Sequence, residues 1–317
     1  VNTDKVFVGI DVAKADVEYF IRPVGRAGKV PRTPEGLKRL CELLGRFDVE
    51  VVVVEPTGGY ERVVLVEMFA AELPVKLVPA DRVRNYARSL GRRAKTDALD
   101  AATLAQMAET SVEHIRRWSP PPSEVQTARE LLHRRAVLVE VIGAERKRAS
   151  SAPNAFIAKS SERLLRALAK EKARIEKQVD DLLPTAPDLA RRAEVIQNVK
   201  GVGRIVALTL LTELPELGSL SRSEAAALAG VAPYNADSGK KQGKRFIRGG
   251  RARARTALFM AAIVGIRHNP VIKQQYTSLR SRGKDGKVAL VACMRKLLVH
   301  VNSLLRDHAL SSPTAAG

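Results

Sequence analysis

At 317 residues the chain is long enough for about two domains, each burying its own core. A hydrophobic share of 45% excludes global disorder, and 54 Lys and Arg against 34 Asp and Glu, a net charge of +20, point to a polyanionic partner. Cys41 and Cys293 stand too far apart in sequence for a CxxC zinc site or a disulfide framework, which fits a reducing cytoplasm; no run of the length of a membrane span is read, so no membrane partner is expected.

The opening Val6–Ile10 alternates, is rich in β-branched residues and runs into Asp11, so it reads as a strand ending on an acid. A second strand over Asp16–Ile21 and a short third near 28–32 follow after tight connections. Thr33-Pro34-Glu35 has the cap and first-position proline of a helix start, and Leu37, Leu40, Leu43 and Leu44 then recur at helical spacing. Val49–Val54 is a continuous apolar run, as expected of a strand buried on both faces, and it too runs into an acid, Glu55. A helix near 60–71, a strand over 75–78 and a helix from Asp81 complete the order of three hairpin-linked strands, then helix, strand, helix, strand and helix.

Asp97 and Asp100 stand three apart at a helix start capped by Thr96, which puts both carboxylates on one helix face. Alone, they could merely complement the helix dipole, and Asp11 could be a strand-end cap. Together, Asp11, Glu55, Asp97 and Asp100 supply the oxygen ligands that Mg²⁺ needs, and two of them close strands at the end of a sheet where sites form.

Residues 123–183 read as long helices. Val125, Ala128, Leu132, Val139 and Ile142 mark one stripe; beyond Pro153, Leu168, Ile175 and Leu182 recur every seven residues. A coiled-coil seam and a helical hairpin packed within the chain both fit that pattern. The expected boundaries are 1–115 for an α/β domain, 116–187 for a helical or coiled-coil middle, 188–310 for a mostly helical domain and 311–317 for a disordered tail.

Charge separates these parts. Residues 1–110 hold 17 Lys and Arg against 16 Asp and Glu, whereas residues 111–317 hold 37 against 18 and carry +19 of the total. Eight of the cations, Lys240, Lys241, Lys244, Arg245, Arg248, Arg251, Arg253 and Arg255, fall within 16 residues free of acids, so they are candidates for phosphate contacts rather than a solvated ion-paired face. Ser238-Gly239 just before them reads locally as a turn, although a cationic loop also suits a serine nucleophile toward phosphorus. Lys200-Gly201-Val202-Gly203 could present backbone N–H groups to a phosphate, as in a helix-hairpin-helix, or be a structural turn. With aromatics at 4%, backbone contacts rather than base stacking are expected to dominate.

In order along the chain, Val8-Gly9-Ile10-Asp11, Glu55-Pro56-Thr57-Gly58-Gly59-Tyr60, Lys95-Thr96-Asp97-Ala98-Leu99-Asp100, Gly201-Val202-Gly203, Gly230-Val231-Ala232-Pro233, Ser238-Gly239 and Gly249–Leu258 resemble the blocks of the DEDD-type insertion-sequence transposases, a group that includes the Piv-type DNA invertases. The resemblance implies a ribonuclease-H-like (resolvase-like) N-terminal domain, four acids on Mg²⁺ and Ser238 as the nucleophile that links covalently to a DNA phosphate. It also implies cutting and rejoining of DNA through a circular intermediate, guidance by an element-encoded RNA, and a homodimer or homotetramer built on the helical middle. A resolvase-like nuclease using water is the alternative. A sugar-kinase-like ATPase would need a Gly/Thr-rich loop after Asp11, and Val12-Ala13-Lys14 supplies none. A catalytically dead binder would not need all four acids and Ser238.

Overall fold

The computed structural model describes residues 5–91, 97–113, 115–151, 154–234 and 245–311, without the side chains of 97–100 and 311. They divide into two units, Val1–Pro121 and Pro122–Gly317.

In the first unit β1 (Val6–Val12), β2 (Asp16–Arg22) and β3 (Arg26–Pro31) form an antiparallel meander. The other edge of β1 takes β4 (Val49–Val54) in parallel, and β4 takes β5 (Val75–Leu77) in parallel. The order β3-β2-β1-β4-β5, with only β2 reversed against its neighbours β1 and β3, is that of the ribonuclease-H-like fold. Helix α1 (Pro34–Leu44), capped by Thr33 Oγ1 on the Gly36 N–H, joins β3 to β4, α2 (Glu61–Ala70) joins β4 to β5, and α3 (Ala80–Ser89) and α4 (Asp97–Thr110) follow β5.

The two faces of the sheet have separate cores. Val8, Ile10, Val52 and Val54 pack with Leu37, Leu40 and Leu44 of α1 and Val64 and Met68 of α2. Val51 and Val53 face the other way, onto Leu104 and Met107 of α4 and Val83 of α3. Burial on both faces is the reason β4 is apolar throughout. Residues 116–121 belong to this unit: the Trp118 N–H donates to the Val75 carbonyl at 2.8 Å, along the exposed edge of β5, and the indole meets Phe69 edge-on at 6.0 Å.

In the second unit α5 (Ser123–Ser150) and α6 (Ala155–Leu182) form an antiparallel hairpin. Arg135 pairs with Glu176 at 2.7 Å and, nearer the tip, buried Glu145 accepts from Ser161 at 2.7 Å. Both bonds lie on the stripe that carries Leu168 and Ile175, so this heptad pattern faces α5 of the same chain. Val139 is exposed, contrary to its expected place on the α5 stripe. Leu138 is buried instead, because it lies between Arg135 and Glu145, which bond to Glu176 and Ser161 of α6, and beside buried Ile142, on the side of α5 that meets α6.

The remaining elements are α7 (Pro187–Gln197), α8 (Arg204–Glu213), α9 (Arg222–Leu228), the short ladder of β6 (Pro233–Tyr234) with β7 (Phe246–Ile247), α10 (Ala252–His268), α11 (Pro270–Ser281) and α12 (Gly286–Ser311). Ala128 and Leu132 of α5 and Val179 of α6 enter one core with Leu208, Leu211, Leu258 and Leu298. The expected boundary at 187 therefore falls inside a single unit, because the base of the hairpin has no separate core of its own. By length and composition α12 could span a membrane, yet Cys293, Met294, Leu297 and Val301 are buried in that core.

Candidate metal and nucleic-acid sites

The last parallel pair of β1 and β4 is Ile10 with Val54, so Asp11 and Glu55 leave the same end of two neighbouring strands, about 5 Å apart at the backbone. Strand alternation sets their direction. Val51 and Val53 face α4, and Gly9 touches it; Glu55 and Asp11 share that parity and point to the same face.

Helix α4 completes the arrangement. A Cβ at Gly9 would stand 2.1 Å from the Ala101 carbonyl oxygen and 2.2 Å from the Ala105 nitrogen, so only glycine lets the helix lie this close to β1. Near the other end of α4, Glu109 pairs with Arg22 at 2.7 Å, and Arg22 sits opposite Phe7 at the start of β1. Helix and strand thus run antiparallel, and the first turn of α4, with Asp97 and Asp100, begins beside the Asp11 end. Their side chains lie outside the described residues, so the backbone alone brings the third acid block to the first two. An all-oxygen carboxylate set at the carboxyl ends of adjacent strands fits a hard divalent cation.

Two residues that the motif reading did not single out fix the loops around this end. Glu61 Oε2 accepts from the Thr57 N–H at 3.0 Å, Thr57 Oγ1 at 3.2 Å and the Gly59 N–H at 2.8 Å, and so holds the turn that follows Glu55. Gly58 and Gly59 take φ of +78° and +113° in that turn. Arg32 donates through Nε and Nη2 to the Lys14 carbonyl at 3.0 and 2.7 Å, and its guanidinium carbon lies 4.9 Å from the centre of the Tyr60 ring. It therefore spans the loop after Asp11 and the turn after Glu55. An acid in the first turn of a helix was a visible signal for Glu61; Arg32 has meaning only once β3 is folded alongside β2.

In the second unit Ser238, Lys240, Lys241 and Lys244 lie outside the described residues. Their flanks are described. Tyr234 pairs with Phe246 across the β6–β7 ladder, and Arg248 lies over both rings at 4.8 and 6.0 Å. Gly230 and Gly250, both at φ +68°, cross so closely that a Cβ on Gly250 would meet the Gly230 nitrogen at 2.2 Å. Arg255 donates to the Gly249 carbonyl at 2.6 Å; Arg245 is exposed and Arg253 half-buried.

Arg251 departs from the expected phosphate role. Its two terminal nitrogens grip Glu216 at 2.7 Å each, and Nη1 also donates to the Glu213 carbonyl at 2.7 Å, so its guanidinium anchors the chain to itself. The Glu213 carboxylate, at the end of α8, is buried against Arg129 and His133 of α5. Burial pushes this carboxyl up, but the hydrogen bonds from His133 and Arg129 outweigh it and take it down to about 2.

The Lys200–Gly203 turn joins α7 to α8. Gly201, at φ +109°, packs on α10, where a Cβ would stand 2.8 Å from the Ala261 carbonyl oxygen. Gly203 opens α8, and Lys200 is exposed while its carbonyl accepts from Asn269 Nδ2 at 3.1 Å. Gly201 is thus required for helix packing, and Lys200 and Gly203 are the exposed residues of the turn.

Residues 8–152 match the sequence profile of the DEDD_Tnp_IS110 transposases, and residues 193–277 match the profile described as "Transposase IS116/IS110/IS902 family". The pilin gene-inverting protein of Moraxella bovis is 26% identical over 314 residues, 96% of this chain and 97% of its own length. That of Moraxella lacunata is 27% identical over the same spans. Among solved structures, T. thermophilus RuvC in complex with a Holliday junction substrate is similar over 36% of this chain and all of its own, at 19% identity and a TM-score of 0.28.

Proposed function

The chain belongs to the IS110-type family of DEDD transposases and DNA invertases, enzymes that act on DNA, and from that membership we propose that it cuts and rejoins the ends of a mobile element through a serine–DNA intermediate. The observation that carries the reading is the antiparallel seating of α4 on Gly9. It brings the block holding Asp97 and Asp100 to the sheet end where Asp11 and Glu55 emerge.

In this reading Asp11, Glu55, Asp97 and Asp100 hold Mg²⁺, which when bound would stabilise the charge that develops on the phosphate oxygens. The Ser238 hydroxyl oxygen bonds to phosphorus as the bridging P–O bond of the scissile phosphate breaks, and the serine proton ends on the freed DNA hydroxyl. Attack by another strand's hydroxyl on the serine-linked phosphate reverses the step, joins the new strand and returns the serine. Lys240, Lys241, Lys244, Arg245, Arg248, Arg253 and Arg255, with Lys200, supply phosphate contacts. The resemblance also supports an element-encoded guide RNA and assembly as a homodimer or homotetramer through the α5–α6 hairpin. The two free cysteines fit action on the nucleoid in the cytoplasm.

The test is trapping of a covalent protein–DNA adduct on a supercoiled plasmid carrying the element ends, with Mg²⁺ and the RNA supplied. An adduct present in wild type and absent in Ser238→Ala is expected. Mg²⁺-dependent nicking without an adduct, lost in Asp11→Ala, would replace this reading with a resolvase-like nuclease that uses water.

A further inference from the structure

We infer that the exposed face of α11, together with Lys296 of α12, is a binding surface for the phosphodiester backbone of duplex DNA. The inference rests on the chain acting on DNA and is independent of the role of Ser238.

The sequence fixes this helix firmly by one side. Asn269 caps it, its Oδ1 accepting from the Val271 and Ile272 N–H groups at 3.1 and 3.3 Å, while its Nδ2 ties the start of α11 to the Lys200 turn. Ile272 is buried, and Tyr276 and Leu279 are half-buried. The opposite side is a row at helical spacing, Lys273, Gln274, Thr277, Ser278, Ser281 and Arg282, all exposed. Two open grooves of about 370 and 520 Å³ flank it and share Gln274 and Ser278, and the first extends to Arg282 and Lys296.

Every side chain of this row can donate a hydrogen bond and none is a carboxylate. Among the described residues Lys273, Arg282 and Lys296 make no ion pair; Arg282 donates only along its own helix, to the Ser278 carbonyl and Oγ, both at 3.1 Å. Several cations of the α5–α6 hairpin are instead neutralised within it, where acids are interspersed: Arg135 and Lys172 share Glu176, Arg148 takes Glu145 and Arg174 takes Glu171. From Ser238 to the last residue the sequence holds 17 Lys and Arg against two acids, Asp285 and Asp307, so this stretch carries a large excess of positive charge that suits an external polyanion.

The geometry selects the kind of polyanion. From Lys273 to Ser281 the helix advances about 12 Å, which matches three to four phosphates measured along a duplex axis. Hydroxyl and amide donors alternating with cations are the groups that position a protein on sugar-phosphate backbone. The row has no exposed aromatic ring on which an unpaired base could stack, which disfavours a single strand.

The experiment measures binding to a duplex lacking element sequence at 50–200 mM salt, by fluorescence anisotropy on the full chain. The triple variant Lys273→Ala, Arg282→Ala, Lys296→Ala is expected to lower the slope of log K against log salt by about 2–3, since each phosphate contact contributes about 0.9. A control triple with the same charge change on α6, Arg163→Ala, Lys170→Ala, Lys177→Ala, keeps the wild-type slope. The pair Gln274→Ala, Ser278→Ala weakens binding at unchanged slope. All these positions are exposed, and circular dichroism reports that each variant is folded. An unchanged slope in the α11 triple, or an equal fall in the control, overturns the inference. A fall seen on RNA duplex alone reassigns the face to RNA, and a wild type that binds no duplex removes the DNA reading with it.

Discussion

Arg251 and Glu216 form a two-pronged ion pair, Nη1 to Oε2 and Nη2 to Oε1, both at 2.7 Å, at the point where the chain returns from the serine segment to α10. A cation that reads as a phosphate contact in sequence therefore works as a clamp. Both side chains keep about a third of their surface exposed, 34% and 28%, so solvent discounts the pair, and Arg251→Ala should cost about 1–2 kcal/mol. A thermal melt checks this. The same experiment on Arg245→Ala should move the midpoint by a degree or less, and equal losses in both variants would contradict the clamp.

Gly9→Ala tests the seating of α4. The added methyl meets backbone atoms at 2.1 and 2.2 Å, which neither strand nor helix can relieve by a rotamer change, so α4 must lift from β1. The expected outcome is a loss of about 1–3 kcal/mol of stability and near-complete loss of Mg²⁺-dependent cleavage, with duplex binding retained. Full cleavage by a stably folded variant would mean that the α4 acids are not needed where this packing puts them.

Arg32 and Glu61 hold the loops that follow Asp11 and Glu55, so their effect on the proposed Mg²⁺ site is one of positioning. Arg32→Ala and Glu61→Gln should raise the Mg²⁺ concentration needed for half-maximal cleavage by about tenfold or more while the melting temperature changes little. Direct calorimetric titration with Mg²⁺ separates this from a change in rate. Arg32→Lys keeps one donor to the Lys14 carbonyl but loses the forked contact, and should fall between wild type and Arg32→Ala.

Glu213 gives the second unit a defined acid sensitivity. Its folded carboxyl titrates at about 2, below the ordinary 4.5, so the native state is favoured while the group is ionised. The contribution is complete above pH 4.5 and is lost as the pH falls toward 2, on the order of 3 kcal/mol across that window. Glu213→Gln should be less stable at neutral pH and show a shallower acid limb in a pH series of melts. An acid limb identical to that of wild type would assign the sensitivity to other carboxylates.

Much of the first unit was legible because its signals are local. Alternation, the unbroken apolar run of Val49–Val54 and the Thr33–Pro34 start name their elements without reference to the rest of the chain, and the order of these elements already implied the sheet. Asp11 and Glu55 stood out because each closes a strand. Less is legible where one pattern fits several structures. Val139 and Leu138 are both apolar and adjacent, and only the packing of α6 against the side of α5 that holds Arg135 and Glu145 decides which turns inward. Heptad leucines on α6 look the same whether their partner is α5 or another chain. The charge of Arg251 is visible in sequence, but its partner Glu216 lies 35 positions away and is found only through the fold.

The sequence by itself determined the strand and helix order, the acid blocks with their spacing, the family and the imbalance of charge, since each depends on residue type and neighbours along the chain. Tertiary structure alone decided that α4 runs antiparallel to β1 with its first turn beside Asp11, that Arg32 ties two loops together, and which arginines are held internally and which are left facing solvent. These are contacts between segments distant in sequence, set by close approaches such as Gly9 on Ala101 and by the pairing of charges that no local pattern records.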